Sequence, residues 1–234
     1  MRVAAIQSSF IPWRGYFDFI ASVDAFVFLD DVQYTVRDWR NRNQIKTPKG
    51  VEWVTVPVVH GGRDLLVSEA KIDYSQGWIK KLLGAWSANY GRSECFNPTL
   101  ALLAELEALR YEKLSSLNTE LTRRICACLS ITTPLLHSSD LSLVGAKTDR
   151  LIDLLKKLHA TTYLSGPSAD AYLDKDAFRK NGIRLEYKSY DYDPYPQLWG
   201  PFEGAVTVLD LIANCGSDAK SHIRSRTPDQ VIIE

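Results

Sequence analysis

Arg37, Arg40, Arg42, Lys46 and Lys49 fall within thirteen residues against a single acid, Asp38. They follow Tyr34 and are interleaved with Trp39, Asn41 and Asn43. Guanidinium forks match phosphate oxygens two at a time, and Trp or Tyr rings stack on a base or sugar. The segment therefore predicts binding of a small anionic, nucleotide-linked substrate by Tyr34, Trp39, Arg40, Asn41, Arg42, Asn43 and Lys46. A solvated basic face is the plainer alternative. Just upstream stand Asp30, Asp31 and Gln33, where an apolar run ends. Carboxylates at such a place hold a magnesium ion, a ribose hydroxyl or an amine, although a wet strand end or a helix cap uses the same residues. A divalent ion needs further oxygen ligands, and the sequence does not identify them, so metal dependence stays open.

Two more loops carry candidate chemistry. The stretch Ser8-Ser9-Phe10-Ile11-Pro12-Trp13-Arg14-Gly15 joins an expected strand to an expected helix, placing backbone amides at a helix N-terminus, where anions bind. Gln7, Trp13 and Tyr16 are its binding candidates. Its one glycine makes it neither a GxGxxG fingerprint nor a Walker loop. In outline it is similar to the first turn of nucleotidyltransferases, where a Gly-His pair opens the helix, but here Tyr16 follows Gly15. The second loop is Ser165-Gly166-Pro167-Ser168: Gly166 admits close backbone approach, and the hydroxyls of Ser165 and Ser168 sit near a helix start. Ordinary strand-to-helix turn chemistry explains it as well. Among the histidines, His60 before Gly61-Gly62 is the general-base candidate. No HxH or HExxH spacing and no GxSxG elbow occurs.

These residues need elements to hold them. Arg2 to Ile6 and Ala25 to Leu29 read as strands and Gly15 to Val23 as a helix, a βαβ opening that sets Gln7 to Gly15 and Asp30 to Tyr34 at one sheet edge. Asn43 to Thr47 and Val51 to Val58, joined by Pro48-Lys49-Gly50, read as a hairpin. A strand over Val67 to Ile72 and a helix over Gly77 to Tyr90 follow. Asn97-Pro98 reads as a helix start, and a stripe of period 3.6 runs from Leu102 to Ile125 as one long helix or a broken pair. Thr148 is the expected cap of the next helix, Thr161 to Leu164 a strand, and Ser168 the cap of a helix running to Asn181-Gly182. Ile183 to Tyr187 reads as a strand, Tyr190 to Gly204 as a loop, Thr207 to Cys215 as a helix, and the end as polar. The fold class predicted is α/β, βαβ-based, with a mostly parallel sheet, an inserted β-hairpin and a helical segment. One compact domain is expected over 1–234, with α/β plus hairpin over 1–94, helices over 95–131 and a second α/β section over 132–234.

Composition narrows the classes. The 234 residues carry 28 basic and 28 acidic side chains, without the basic excess that phosphate neutralisation demands of a DNA binder. No apolar run approaches the roughly 18 residues that cross a bilayer, so no membrane insertion is expected. Four cysteines without CxxC spacing and a start lacking a signal-peptide apolar core predict a cytoplasmic protein with free thiols.

With these motifs laid out, the chain resembles the WbqC-like family. The resemblance rests on Ile6-Gln7, Ile11-Pro12-Trp13, Gly15-Tyr16-Phe17, the segment from Phe26 to Tyr34, Asn41-Arg42-Asn43, Ile45-Lys46, Pro48-Lys49-Gly50 and Trp53, and resumes at Asp149-Arg150, Tyr163 to Gly166, Tyr172-Leu173 and Val208 to Leu211. It implies a bacterial protein of surface-polysaccharide or specialised-metabolite biosynthesis. The expectation carried forward is a transferase that acylates or aminoacylates an amino-sugar nucleotide or similar small amine. A coenzyme A thioester is the candidate donor, magnesium a candidate cofactor, and Asp30, Asp31, Gln33 and His60 the candidate catalytic residues. An ATP-dependent nucleotidyltransferase or ligase and a non-catalytic scaffold of a glycan pathway are the alternatives.

Overall fold

A computed structural model describes residues 1–234. Its centre is a six-stranded sheet built from β1 (Arg2–Ile6), β2 (Ala25–Phe28), β5 (Leu135–His137), β6 (Thr162–Ser165), β7 (Arg184–Tyr187) and β8 (Gln230–Ile233), in the order β5-β2-β1-β6-β7-β8. All pairs are parallel except β7 with β8. The apolar runs predicted for β1 and β2 have the composition that a strand covered on both faces requires. The pleat divides their side chains. Ala4, Phe26, Phe28 and Leu164 join a core with α1 (Arg14–Ala21), α2 (Trp78–Tyr90), α3 (Phe96–Leu109), α4 (Leu114–Cys128) and α7 (Val208–Cys215). Val3, Ala5, Ala25, Val27 and Tyr163 join a second core with α5 (Lys147–Lys157) and α6 (Lys175–Lys180). A separate antiparallel hairpin consists of β3 (Arg42–Thr47) and β4 (Gly50–Thr55). Gly50, at φ 112°, closes its turn.

Several expectations needed correction. Val67 to Ile72 is not a strand: Val67–Glu69 is a 3-10 turn, in which the Glu69 carboxylate accepts from Leu66 N–H at 3.2 Å, and only single bridges, Val58 to Ile72 and Lys71 to Lys113, remain. The apolar stripe is a broken pair, since Arg110, at φ 36°, ends α3 in the left-handed region. Cys95, not Asn97, is the N-cap of α3, which leaves Pro98 in the first turn, where its missing N–H costs nothing. Thr148 lies inside α5, and its hydroxyl accepts from Asp174 N–H at 3.1 Å instead of capping. The helix expected from Ser168 is a 3-10 turn, Pro167–Ala171, followed by the short α6 under an Asp174 cap. β5 and β8 were not anticipated. β5 has three residues and β8 is an edge strand in an otherwise polar tail, so neither leaves a long apolar run.

Candidate functional site

The order β5-β2-β1-β6-β7 places a topological switch between β1 and β6: the chain leaves β1 toward β2 and β5, then returns on the other side at β6. Loops leaving the carboxyl ends of two such neighbours diverge to opposite faces and open a crevice. A cleft of about 480 Å³ lies there. Its walls include Ile6 and Gln7 after β1, Ser165, Gly166 and Ser168 after β6, and Lys147, Thr148 and Arg150 from the first turns of α5. Tyr172 and Leu173 close one side. Lys147 is held at φ 51°, a left-handed conformation that non-glycine residues rarely occupy. Gly145 before it, at φ 85°, packs so closely that an added Cβ would lie 3.3 Å from the Arg150 backbone nitrogen. Exposed Lys147 and the first turn of the eleven-residue α5, which also carries Asp149, border this cleft, and an ammonium and a helix N-terminus each favour an anion.

Four residues of this wall are legible in the sequence. Gln7, Ser165, Gly166 and Ser168 were anticipated, and Arg150 was noticed only through family resemblance. Lys147 was missed, because a lone lysine after Val144-Gly145-Ala146 gives no charge cluster.

Asp31 is drawn into the same region indirectly: it pairs with the Arg150 guanidinium and accepts from Ser138 Oγ at 2.5 Å. Asp30 turns the other way. Its Oδ1 accepts from Ser8 N–H at 2.8 Å, while Oδ2 is buried with no partner. Burial pushes the carboxyl above the ordinary range, an effect opposed by hydrogen bonds from Ser8 and by Arg40 and His137. The two adjacent acids thus do different work, and neither faces a third ligand. No group of three or more His, Cys, Asp or Glu converges on a metal-sized site.

The basic segment is dispersed. The Arg40 guanidinium donates to the carbonyls of Gln7 at 3.0 Å and Ser8 at 3.3 Å, fixing the loop after β1. Arg42 lies 4.2 Å from the Trp53 ring, and Trp53 in turn packs on Trp39 with centroids 5.1 Å apart. Lys46 is buried and donates to Gln197 Oε1 at 2.8 Å and to the Pro201 carbonyl at 2.6 Å. Arg37 and Lys49 are exposed. Asn41 and Asn43 are buried scaffold residues: Asn41 Nδ2 reaches the Val56 carbonyl at 2.9 Å, and Asn43 Nδ2 reaches those of Phe10 and Ile11 at 3.1 and 2.9 Å.

Trp13, Tyr16, Trp39, Arg40 and Asn43 nevertheless meet at a second cavity of about 290 Å³. Ile6 lines both cavities. The Trp13 indole lies so tightly on Gly15 that an added Cβ would be 2.3 Å from the ring, and Tyr190 and Tyr192 cover its other sides, with ring centroids 5.2 and 5.8 Å away. Protein side chains therefore cover the α1 N-terminus that was expected to take an anion. Burial, with Asp30 nearby, pushes the Tyr16 phenol well above its ordinary range, and its hydroxyl donates to the Gln7 carbonyl at 3.1 Å. His60, Gln33 and Tyr34 lie apart, around a third depression of about 330 Å³, where Gln33 Nε2 donates to the Arg63 carbonyl at 2.7 Å.

Fold and cleft together define a doubly wound α/β protein whose switch-point crevice has a cationic lip. The chain belongs to the WbqC-like protein family, whose model matches residues 7–222. It is similar to an uncharacterized protein of Mycobacterium tuberculosis, Rv1507c, with 45% identity over 226 residues that cover 95% of this chain and 97% of the relative. No solved structure matches. No helix is long and apolar enough to cross a membrane.

Proposed function

We propose that this protein is a transferase that binds a nucleotide-linked amino sugar, or a similar small anionic amine, in the switch-point cleft and acylates its nitrogen. The observation that carries this reading is the convergence of Lys147, the α5 N-terminus and the hydroxyls of Ser165 and Ser168 on one cleft of about 480 Å³, within the size range of small-molecule sites. Phosphate oxygens fit the cationic lip, and Gln7 offers an amide to a sugar hydroxyl deeper in.

With a thioester donor, the amine nitrogen bonds to the acyl carbonyl carbon, the carbon–sulfur bond breaks, and the amine proton passes to the departing thiolate. Neither cavity wall carries a carboxylate or imidazole, so the amine reacts in its neutral form and rates rise with pH until it is fully deprotonated. Asp30, Asp31, Gln33 and His60 are not needed for that proton. Asp31 and Gln33 act through the residues they hold, Arg150 and the Arg63 loop.

The test is incubation with nucleotide amino sugars and coenzyme A thioesters, read by mass spectrometry. A product heavier by the acyl group is expected; no product with any pair, in protein that is folded and binds the nucleotide, overturns the transferase reading.

A further inference from the structure

The second cavity shares Ile6 with the first, and two of its polar side chains, Arg40 and Asn43, are spent on the scaffold. Arg40 is engaged by the carbonyls of Gln7 and Ser8, and Asn43 by those of Phe10 and Ile11 and by the Gln44 N–H at 2.7 Å. What remains for a ligand is the largely apolar surface of Ile6, Pro12, Trp13, Tyr16, Trp39 and Ala205, with the Ser9 hydroxyl beside it. Such a wall gains free energy by removing apolar surface from water. Trp39 is 43% exposed at its rim, and Ala205 is exposed as well, so the cavity opens outward. Ile6 also lines the switch-point cleft, so the two cavities are neighbours.

We propose that this cavity binds the hydrocarbon chain of a short-chain acyl donor, with the acyl carbonyl at Ile6 beside the acceptor nitrogen. The donor's chemistry rests on the transferase reading above, but the cavity's preference for an apolar chain is measurable without turnover. Two neighbouring cavities that share a lining residue give a group transfer separate holds on donor and acceptor close to one another.

The probes are acetyl, butanoyl and hexanoyl thioesters of N-acetylcysteamine, titrated calorimetrically into the whole protein, with uridine diphosphate as the probe of the first cleft. Each added methylene is expected to tighten binding by about fourfold until the cavity is full. Ala205→Trp, which fills the cavity from an exposed position, is expected to weaken hexanoyl binding by about tenfold or more, the loss of about two methylenes' contact, while uridine diphosphate binding is unchanged. Circular dichroism checks that variant's fold, and Trp39→Ala, at the exposed rim, is expected to weaken hexanoyl binding in the same direction. Equal affinity for acetyl and hexanoyl thioesters, or hexanoyl binding untouched by both substitutions, overturns the proposal. Loss of uridine diphosphate binding with the chain-length series intact counts against the nucleotide reading alone.

Discussion

Tyr90→Phe is a one-atom change with a large expected cost. The Tyr90 hydroxyl donates to Asp210 Oδ2 at 2.7 Å and accepts from Lys46 N–H at 2.9 Å. Asp210 is 1% exposed, and its Oδ1 accepts from Tyr195 at 2.8 Å and from Gln197 Nε2 at 2.7 Å. This network ties the hairpin to α2, α7 and the loop before α7. Beside it, α7 is held to the loop after β1 by Val208 N–H donating to the Pro12 carbonyl at 2.9 Å. Phenylalanine removes a hydrogen bond to a buried carboxylate, about 1.5–3 kcal/mol, and strands the Lys46 amide, about 1–3 kcal/mol more. The total of about 2.5–6 kcal/mol is a large fraction of a typical stability of about 5–15 kcal/mol. At about 2–4 °C per kcal/mol in a chain of this size, Tm falls by about 5–24 °C. Tyr195→Phe leaves Gln197 on the same oxygen and is expected to cost about 1–2 kcal/mol.

The loss depends on pH. Burial raises the Asp210 carboxyl, against hydrogen bonds from Tyr90, Tyr195 and Gln197. A carboxyl raised on folding contributes stability that is full below its unfolded value and is lost as pH rises through its folded value. Removing a donor to the charged form raises it further, so the difference between wild type and Tyr90→Phe is largest at alkaline pH and shrinks on acidification. Urea unfolding at pH 5 and pH 8 measures this. A cost under about 1 kcal/mol, a cost no larger than that of Tyr195→Phe, or a difference that grows at low pH would refute the reasoning.

Two further predictions bear on the site and the thiols. Gly15→Ala puts a methyl into the Trp13 ring and is expected to cost about 1–3 kcal/mol by overpacking, while weakening hexanoyl thioester binding more than uridine diphosphate binding; thermal melts and titrations check both. Burial pushes the Cys126 thiol up to about 12 and the Cys215 thiol up to about 11 and raises that of Cys128 as well, but only Cys128 is exposed. Ellman titration of the native protein at pH 8 should label Cys128 first, and Cys126 only on unfolding.

The strands β1 and β2, the β3–β4 hairpin and the helix from Thr207 were legible because each is a local pattern: an apolar run, a Pro-Lys-Gly turn, a threonine cap. The breaks were harder. Nothing in the period of Leu102 to Ile125 marks Arg110 as left-handed, and Asp174 outcompetes Ser168 as a cap only because the chain turns between them. The basic segment misled for a physical reason. Spacing along a sequence says nothing about direction, so Arg40 is spent on carbonyls, Arg42 on Trp53 and Lys46 in the Asp210 network. Lys147, which lines the same cleft as Gln7, comes from a part of the chain about a hundred residues from the basic segment.

On the proposed function, anion binding belongs to the switch-point cleft and not to the basic segment. Calorimetric titration of uridine diphosphate into wild type, Lys147→Ala and Lys49→Ala tests it most directly. The expected result is binding by wild type, a loss of about tenfold in Lys147→Ala, as for a charge-assisted hydrogen bond of about 1.5 kcal/mol, and no change in Lys49→Ala. Binding that survives Lys147→Ala and falls in Lys49→Ala, or no binding by wild type, would contradict it.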